Sequence, residues 1–269
     1  MTFTWGDYQL EQGAAARWVL GPLTLWAFRF PHEWRLMHIQ SKDALAVDAQ
    51  AHVPVDDEER RELEGAIIPH AEVGRYSFHH TDPTIHLSPR LADRPVVVRP
   101  ETPFYVPAGE SVRLYISTPL WIRMTVKEDV LLREVPTFRP SDTWFGASTR
   151  EGELCYASRS AARLELAALP QRKHRAVTPV LIDNRGSTAL LIERIQVPVR
   201  YLSLYRHANG MLWTQTVTMV READEGASQV RFNREPPREA AGAPCIQEPR
   251  DKTKADFITR TFMAFHSMF

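Results

Sequence analysis

The chain has 269 residues, of which 43% are hydrophobic and 25% are charged, as in an average soluble globular protein. These fractions exclude intrinsic disorder, which requires low hydrophobicity and high net charge. Basic and acidic residues balance at 33 each, so the chain lacks the bulk positive field that attracts nucleic acid, and we expect no nucleic-acid partner.

Residues 16–40 begin the predicted β structure. They are dense in Trp, Phe, Leu and Val, and Gly21, Pro22 and Pro31 interrupt them, which predicts two or three strands. Large apolar side chains occur at both odd and even positions of residues 23–30. We therefore expect this strand to be covered on both faces.

Residues 55–65, VDDEERRELEG, are the best internal candidate for a helix. Aspartate matches an N-terminal cap, acidic residues fill the first turn, and Gly65 matches the C-terminal end. The segment is nearly all polar, so we interpret it as a short solvated helix or an insert. Residues 76–100 return to strand composition with frequent prolines, which disfavour helices there.

Two later segments share one pattern. Residues 103–126 and 177–199 each enter a strand through a proline, pass a polar turn that contains Gly109 or Gly186, and leave along an alternating strand. We interpret them as a structural repeat, as expected for two β-sandwich units. The dipeptide Asn209-Gly210 then predicts a hairpin, because it is the strongest short turn signal in the chain.

The predicted fold class is mainly β, with two β-sandwich-like units and a C-terminal amphipathic helix. The predicted boundaries are 1–138 for an N-terminal β-rich domain, 139–235 for the second domain, 236–250 for a Pro-, Arg- and Glu-rich linker and 251–269 for the helix. An apolar stripe at a chain end is costly to leave in water, so we expect the helix to dock on a protein partner or on another copy of the chain. The interface candidates are Ile258, Phe262, Phe265 and Phe269.

Three motifs within residues 90–220 resemble a bacterial and archaeal family of uncharacterised soluble proteins that is classified only as a domain of unknown function. The motifs are FYVPAGESVRLYISTPLWIRM, PSDTWFGASTREGELCYAS and RAVTPVLIDNRGSTALLIERIQVPVRYLSLY. The resemblance implies a mainly β protein with no established activity. It also implies a partner, a membrane channel that the protein would serve as an accessory from the cytosol.

Residues 139–160 carry the densest set of chemically versatile side chains. A cysteine nucleophile needs a neighbouring base, and Cys155 would take His174 as that base, with Asp142 or Asp183 as the orienting carboxylate. No family-specific signature surrounds Cys155, and its place in an alternating strand also fits a buried, inert thiol. The candidate ligand-binding residues of this region are Asp142, Trp144, Phe145, Glu151, Glu153, Cys155 and Tyr156.

Paired carboxylates offer a second chemistry in the same region. Glycoside hydrolysis uses two carboxyl groups about 5 to 10 Å apart. Two of Asp142, Glu151 and Glu153 would form the pair, with Glu151 and Glu153 able to face the same side of a strand. Trp144 or Phe145 would stack on the sugar. The alternative interpretation is a tight turn in which Trp144 and Phe145 fill the gap between two sheets.

The sequence favours neither a metal site nor a cofactor. Seven of the ten histidines lie in the first 90 residues, but the adjacent His79 and His80 would point to opposite faces of a strand, and no ligand spacing is present. Glycine-rich phosphate loops and the G-x-S-x-G motif are absent, which argues against nucleotide-driven and α/β-hydrolase chemistry.

The basic residues are mostly arginine, since only five of the 33 are lysine. Because the guanidinium fork matches carboxylate and phosphate, a local anion site is compatible with this composition, although no long arginine run marks one.

The remaining signals concern location and role. Cys155 and Cys245 are too few for a disulfide framework, the N-terminus has no signal-peptide pattern, and no apolar run approaches the roughly 20 residues that span a bilayer. We expect a cytoplasmic protein without a transmembrane segment.

The leading hypothesis for function is a non-catalytic binding or regulatory protein that acts through protein–protein contacts. The alternatives are a carbohydrate-active or other hydrolytic enzyme centred on residues 139–160, and a cytosolic accessory protein, peripherally associated with a membrane channel.

Overall fold

The structure is a computed structural model that describes residues 1–65, 69–146, 148, 150–222, 228–251 and 260–262. Strands dominate it, which confirms the predicted mainly β class. Contacts between residues divide the chain into two compact units. The first unit comprises Met1–Arg90 and Leu120–Phe138, and the second comprises Leu91–Pro119 and the residues from 139 onward.

The helix and strands follow in chain order. Up to residue 138 they are β1 (Gly6–Gln9), β2 (Ala15–Leu20), β3 (Leu23–Arg29), β4 (Glu33–Gln40), β5 (Ala49–His52), α1 (Asp57–Gly65), β6 (Glu72–Ser77), β7 (Thr84–Arg90), β8 (Val96–Val98), β9 (Phe104–Val106), β10 (Ser111–Pro119), β11 (Trp121–Val126) and β12 (Val130–Pro136). The later strands are β13 (Ser141–Phe145), β14 (Glu153–Ala157), β15 (Arg175–Asn184), β16 (Leu190–Ile192), β17 (Ile195–Val197), β18 (Leu204–Arg206), β19 (Leu212–Trp213), β20 (Val217–Arg221), β21 (Ser228–Arg231), β22 (Cys245–Gln247) and β23 (Arg260–Phe262).

The first unit consists of two sheets with a shared core. One sheet has the order β5-β2-β3-β4-β6, and the other has the order β1-β7-β11-β12. Buried side chains from both sheets form one cluster, in which Leu25 and Trp34 come from the first sheet and Ile85 and Ile122 from the second. The alternating apolar positions of these strands produce this core, since every second side chain points to the same face.

Strand β3 is covered on both faces, as its sequence predicts. Its opposite face packs in a second buried cluster that contains Trp26 and Phe28, against which the partly buried Leu63 of α1 packs. The Oδ1 atom of Asp56 accepts a hydrogen bond from the backbone N–H of Glu59 at 2.8 Å, which is an N-terminal cap of the expected kind. The predicted helix is therefore present, and its single apolar side chain covers a sheet.

The second unit is organised around β15, the longest strand. One edge of β15 pairs antiparallel with β10 over nine residues, from Ser111 opposite Asp183 to Pro119 opposite Arg175. The other edge pairs in parallel with β19 and then with β20. The hairpin predicted at Asn209-Gly210 leads into β19, and Gly210 adopts a φ of +84°, which glycine tolerates without strain.

The two similar segments of the sequence pair with each other. Strand β9 pairs with β16, and β10 pairs with β15, so the turn at Gly109 does not close a hairpin between β9 and β10. The backbone N–H of Gly109 donates to the carbonyl of Asn184 at 2.8 Å. Periodicity describes each strand correctly, but the choice of partner depends on contacts between residues about 70 positions apart.

Asn184 joins the two segments. Its side chain is fully buried, and its amide nitrogen donates to the carbonyls of Val106, Pro107 and Thr188 at 2.9, 3.1 and 2.9 Å. The Oδ1 atom accepts from the backbone N–H of Gly186 at 3.1 Å. One buried side chain therefore bonds to polar groups of both turns and holds the turns together.

Three features differ from the predicted organisation. Residues 91–119 belong to the second unit, because β10 forms its longest ladder with β15. Within the predicted linker 236–250, β22 pairs with β18. Within 251–269, residues 260–262 form β23 and pair with β21, where a helix was predicted.

Only Phe262 among the four interface candidates lies in that strand. Ile258, Phe265 and Phe269 lie outside the described residues. Backbone pairing to β21 explains why residues 260–262 are extended, since an open strand edge offers hydrogen bonds that a helical pattern alone does not reveal.

In the described part of the chain, no helix has the length and apolar character needed to cross a membrane.

The substitution Asn184→Ala tests the junction. It removes the side-chain amide that donates to the carbonyls of Val106, Pro107 and Thr188 and accepts from Gly186. We expect the free energy of unfolding to fall by about 3 kcal/mol, because the variant loses four hydrogen bonds of a buried side chain and each contributes about 0.5–1.5 kcal/mol. Denaturant titration measures the change. The control Asn233→Ala alters an exposed asparagine and should stay within about 0.5 kcal/mol. Equal losses in both variants would contradict the assigned role.

Candidate functional site

The predicted region 139–160 folds into the hairpin of β13 and β14. Register places Asp142 opposite Tyr156 and Trp144 opposite Leu154. These four side chains share one face, because alternate residues of a strand point to the same side. Gly146 allows the backbone after β13 to approach the backbone before β14 closely, since a Cβ atom at position 146 would lie 2.0 Å from the carbonyl oxygen of Glu151.

The opposite face of the hairpin is partly buried. Phe145 lies opposite Glu153, and the neighbouring Cys155 packs with Phe145 and Val97 in a small core cluster. Gln196 donates a hydrogen bond to Oε1 of Glu153 at 2.8 Å and another to the sulfur of Cys155 at 3.2 Å. Phe145 and Cys155 therefore serve packing in this sheet.

The three predicted carboxylates do not all converge. Asp142 and Glu153 lie on opposite faces of the hairpin, and Asp142 is held at 3.2 Å by Arg94 and at 3.5 Å by Arg139. Glu151 precedes β14, and its backbone N–H donates to the Oγ atom of Ser148 at 3.1 Å. An acid and base acting on one glycosidic bond need a shared cleft, so this arrangement of the three carboxylates offers no support for that chemistry.

Aromatic residues of the hairpin have structural partners. Tyr156 donates to Oδ1 of Asp93 at 3.0 Å, and the guanidinium of Arg94 lies 5.4 Å from the centre of its ring. The indole N–H of Trp144 donates to the carbonyl of Ser148 at 2.8 Å, although 42% of the residue is exposed. Trp144 is thus the candidate ligand-binding residue with the most accessible apolar surface on this face.

Cys155 is an unreactive thiol in this fold. It is fully buried, and burial, reinforced by the charge of Glu153 and opposed by the hydrogen bond from Gln196, raises its pKa to about 11. The thiolate is the nucleophilic form, so almost none is available near neutral pH. The interpretation as a packed thiol is therefore the better supported of the two.

The histidines near the start of β7 form a cluster that sequence reasoning did not anticipate. His79 and His80 lie in a bend between β6 and β7, and their ring centres are 4.3 Å apart instead of pointing to opposite faces. His32 lies close by, with its Nδ1 atom 2.6 Å from the carbonyl oxygen of His79. Within the described ranges, no group of three metal-ligating side chains is arranged to hold an ion.

A different cavity, of about 200 Å³, lies in the second unit where β15 begins. We call it the basic pocket. Three cationic side chains line it, from Arg172, Lys173 and Arg175, and the turn at Asn209-Gly210 lines it as well. The cationic residues are neighbours in sequence, whereas the turn is brought to them because β19 pairs with β15.

Arg175 is the buried centre of the basic pocket. It is 5% exposed, and its Nε atom donates to Oγ of Ser117 at 2.8 Å while Nη2 donates to the carbonyl of Ser117 at 2.6 Å. Nη2 also donates to the Oγ atom of Ser160. These acceptors are neutral, so they fix the orientation of the guanidinium without cancelling its charge.

The charge around Arg175 is positive. Burial and the nearby charge of Arg172 lower the pKa of Arg175 to about 9, which leaves the guanidinium charged at neutral pH. Among the described residues, the Nε atom of Arg172 is buried and has no hydrogen-bond partner. No carboxylate of the described ranges forms a salt bridge with the buried Arg175. A buried cation in that state costs several kcal/mol, and an anion in the cavity would offset that cost.

Sequence reasoning missed this site for a physical reason. The run Arg172-Lys173-His174-Arg175 is visible, but charge runs usually form solvated surfaces. Burial of Arg175 depends on Ser117, which lies 58 residues away and is its neighbour only through the pairing of β10 with β15. The arginine-rich composition was the one signal that left room for an anion site.

Thiol labelling tests the assignment of Cys155. In the native protein we expect an aromatic disulfide reagent to modify the exposed Cys245 and to spare the buried Cys155 until the chain unfolds. The stoichiometry should be one thiol when native and two in denaturant. Cys155→Ser should keep the native value of one, whereas Cys245→Ser should reduce it to zero. Rapid labelling of Cys155 in folded protein would contradict the inert role.

His174 predicts how stability depends on pH. Burial, together with the charges of Arg175 and Arg172, lowers its pKa from 6.5 to about 3. The unfolded chain therefore binds an extra proton between these values, so the free energy of unfolding falls as pH decreases through that window, by up to about 1.4 kcal/mol per pH unit.

We expect His174→Gln to flatten this pH dependence. Denaturant unfolding at several pH values between 4 and 7.5 measures the slope. The matched control is His207→Gln, at a half-exposed histidine, which should leave the slope close to that of the native protein. If the His174 variant keeps the native slope, the buried neutral imidazole is not its source.

Comparison with known proteins locates the chain in a family. Neither a curated protein nor a solved structure matches the chain. A family model described as "Protein of unknown function (DUF432)" matches residues 4–267, a longer stretch than the motifs within residues 90–220 that carried the resemblance. The resemblance to a family without an assigned function is confirmed, and the chain belongs to this DUF432 family.

Proposed function

We propose that this protein is a non-catalytic binding protein that recognises a small anion in the basic pocket. The observation that carries the proposal is the state of Arg175. Its guanidinium is buried, it is hydrogen-bonded to the neutral oxygens of Ser117 and Ser160, and it shares its cavity with Arg172. Guanidinium groups bind carboxylate and phosphate through charge-assisted hydrogen bonds, which are the stronger kind.

The geometry of the basic pocket favours binding. Ser117 and Ser160 hold Arg175 in one orientation before any ligand arrives, so little side-chain entropy is lost on binding. Arg172 adds a second guanidinium from the preceding loop. One oriented guanidinium, a second guanidinium and a neighbouring ammonium suit the recognition of an anionic group. Around residues 139–160, in contrast, Cys155 is a buried thiol, and Asp142 and Glu153 lie on opposite faces of the hairpin.

A second candidate function is contact with another protein. Trp144 and Leu154 form an exposed cross-strand pair on the hairpin, 42% and 45% exposed. Tryptophan is enriched among the residues that dominate protein interfaces, and β13 is an edge strand of its sheet. This pair supports the hypothesis of a regulatory protein that acts through protein–protein contacts.

Other roles stay predictions. The homo-oligomer through the C-terminal segment depends mostly on Ile258, Phe265 and Phe269, which lie outside the described residues. The accessory role at a membrane channel and the cytoplasmic location rest on the resemblance and on sequence patterns. The hydrolytic alternative is disfavoured because Asp142 and Glu153 lie on opposite faces of the hairpin.

Calorimetric titration with inorganic phosphate and with sulfate tests the anion site. We expect saturable binding to the full-length protein, and at least tenfold weaker binding to Arg172→Gln, because one charged hydrogen-bonding partner contributes about 1.5–3 kcal/mol. Arg172 is half-buried, so this variant should fold.

The matched control is Arg206→Gln. Arg206 is an exposed arginine of β18 that does not line the basic pocket, and its loss removes the same net charge. Equal weakening in the two variants would indicate a general charge effect and would overturn the proposal. Absence of binding to the native protein at millimolar concentrations of either anion would overturn it as well.

A further inference from the structure

We infer that the natural ligand of the basic pocket is a small organic anion, a phosphate or carboxylate joined to an apolar body, and that an inorganic ion fills only part of the site. This inference rests on the proposed function. It concerns the apolar residues that line the cavity together with the cations.

The size of the cavity is the first observation. Its volume is about 200 Å³. A water molecule takes about 30 Å³ in the liquid, so the cavity has space for roughly six or seven groups of that size. Phosphate and sulfate have five non-hydrogen atoms that are packed around one centre. The cavity is also smaller than the roughly 300 Å³ at which pockets for drug-sized ligands begin, which limits the ligand to the size of a small metabolite.

The composition of the wall is the second observation. Val177, Met211 and Leu212 line the cavity together with Pro170. Val177 belongs to a buried hydrophobic cluster against which Met211 packs, and Leu212 is 2% exposed. Methionine is flexible and adapts to irregular apolar shapes. A purely inorganic ion would leave this wall facing water, whereas an alkyl or similar group would cover it.

The cationic and the apolar residues of the pocket wall meet on β15. Arg172 and Lys173 lie in the loop before β15, while Met211 and Leu212 follow the Asn209-Gly210 turn and lead into β19. Arg175 and Val177 are two residues apart on β15 and therefore point to the same face of the strand. The anionic group and the apolar body of one ligand can thus contact neighbouring positions on a single strand.

Titration with a homologous series tests the inference. Methyl, ethyl, propyl and butyl phosphate should bind the full-length protein with affinity that rises about fourfold per methylene, the increment expected for a fully buried methylene group. The matched carboxylates, from acetate to pentanoate, should show a similar rise. Comparison of the two series at equal chain length decides whether the site prefers phosphate or carboxylate.

A variant of the apolar wall separates this effect from general hydrophobicity. Met211→Ser changes a half-buried residue, so it should fold and should reduce the gain per methylene, measured relative to the variant's own affinity for inorganic phosphate. The matched control Leu164→Ser removes an exposed apolar side chain outside the basic pocket and should keep the native gain.

The outcomes distinguish two failures. If phosphate binds but affinity is constant along both series, the inference of an apolar body is overturned and the proposed anion site stands. If neither inorganic nor organic anions bind, both are overturned. A native gain per methylene in Met211→Ser would also contradict the inference, because the chain would then be buried elsewhere.

Discussion

The second unit depends on the pairing of β15 along both of its edges. The nine-residue ladder with β10 and the shorter parallel ladders with β19 and β20 leave β15 little freedom to shift. Asn184 secures one end of the strand by bonding to three carbonyls, and Arg175 occupies the other end. A side chain on a strand held in this way has a fixed position, which is the condition for precise recognition of a ligand.

The basic pocket places the charge of the buried Arg175 at the end of this rigid strand. Folding an arginine into the interior beside a second arginine is unfavourable unless an opposite charge is supplied. Hydroxyl and carbonyl oxygens of Ser117 and Ser160 orient Arg175 but do not neutralise it. The buried His174 responds to the same positive surroundings, which add to the effect of burial on its pKa. The lowered pKa values of Arg175 and His174 therefore both reflect a positive electrostatic potential in this region, and a bound anion would reduce that potential.

The hairpin at 139–160 illustrates how a dense set of reactive residue types can serve folding. Antiparallel register separates Asp142 from Glu153 and buries Cys155 beside Phe145. Glycine at position 146 is required by the close approach of the backbone at Glu151. The residue types alone suggested chemistry, but their alternation across two faces of the hairpin distributes them between a packed side and an exposed side. The exposed side, with Trp144 and Leu154, is where contact with a partner has support.

Local patterns were sufficient for the mainly β class, the helix α1 with its cap at Asp56, the doubly covered strand β3 and the hairpin at Asn209-Gly210, because the residue pattern of one short segment indicates each of them. They were insufficient for the partners of β10 and β15, the inclusion of residues 91–119 in the second unit and the strand at 260–262. The basic pocket is also a feature that local sequence patterns could not predict. Its arginines are visible in the sequence, but their burial depends on Ser117 and on a distant turn. Strand pairing brings those parts together, and periodicity in one strand carries no information about which strand it will join.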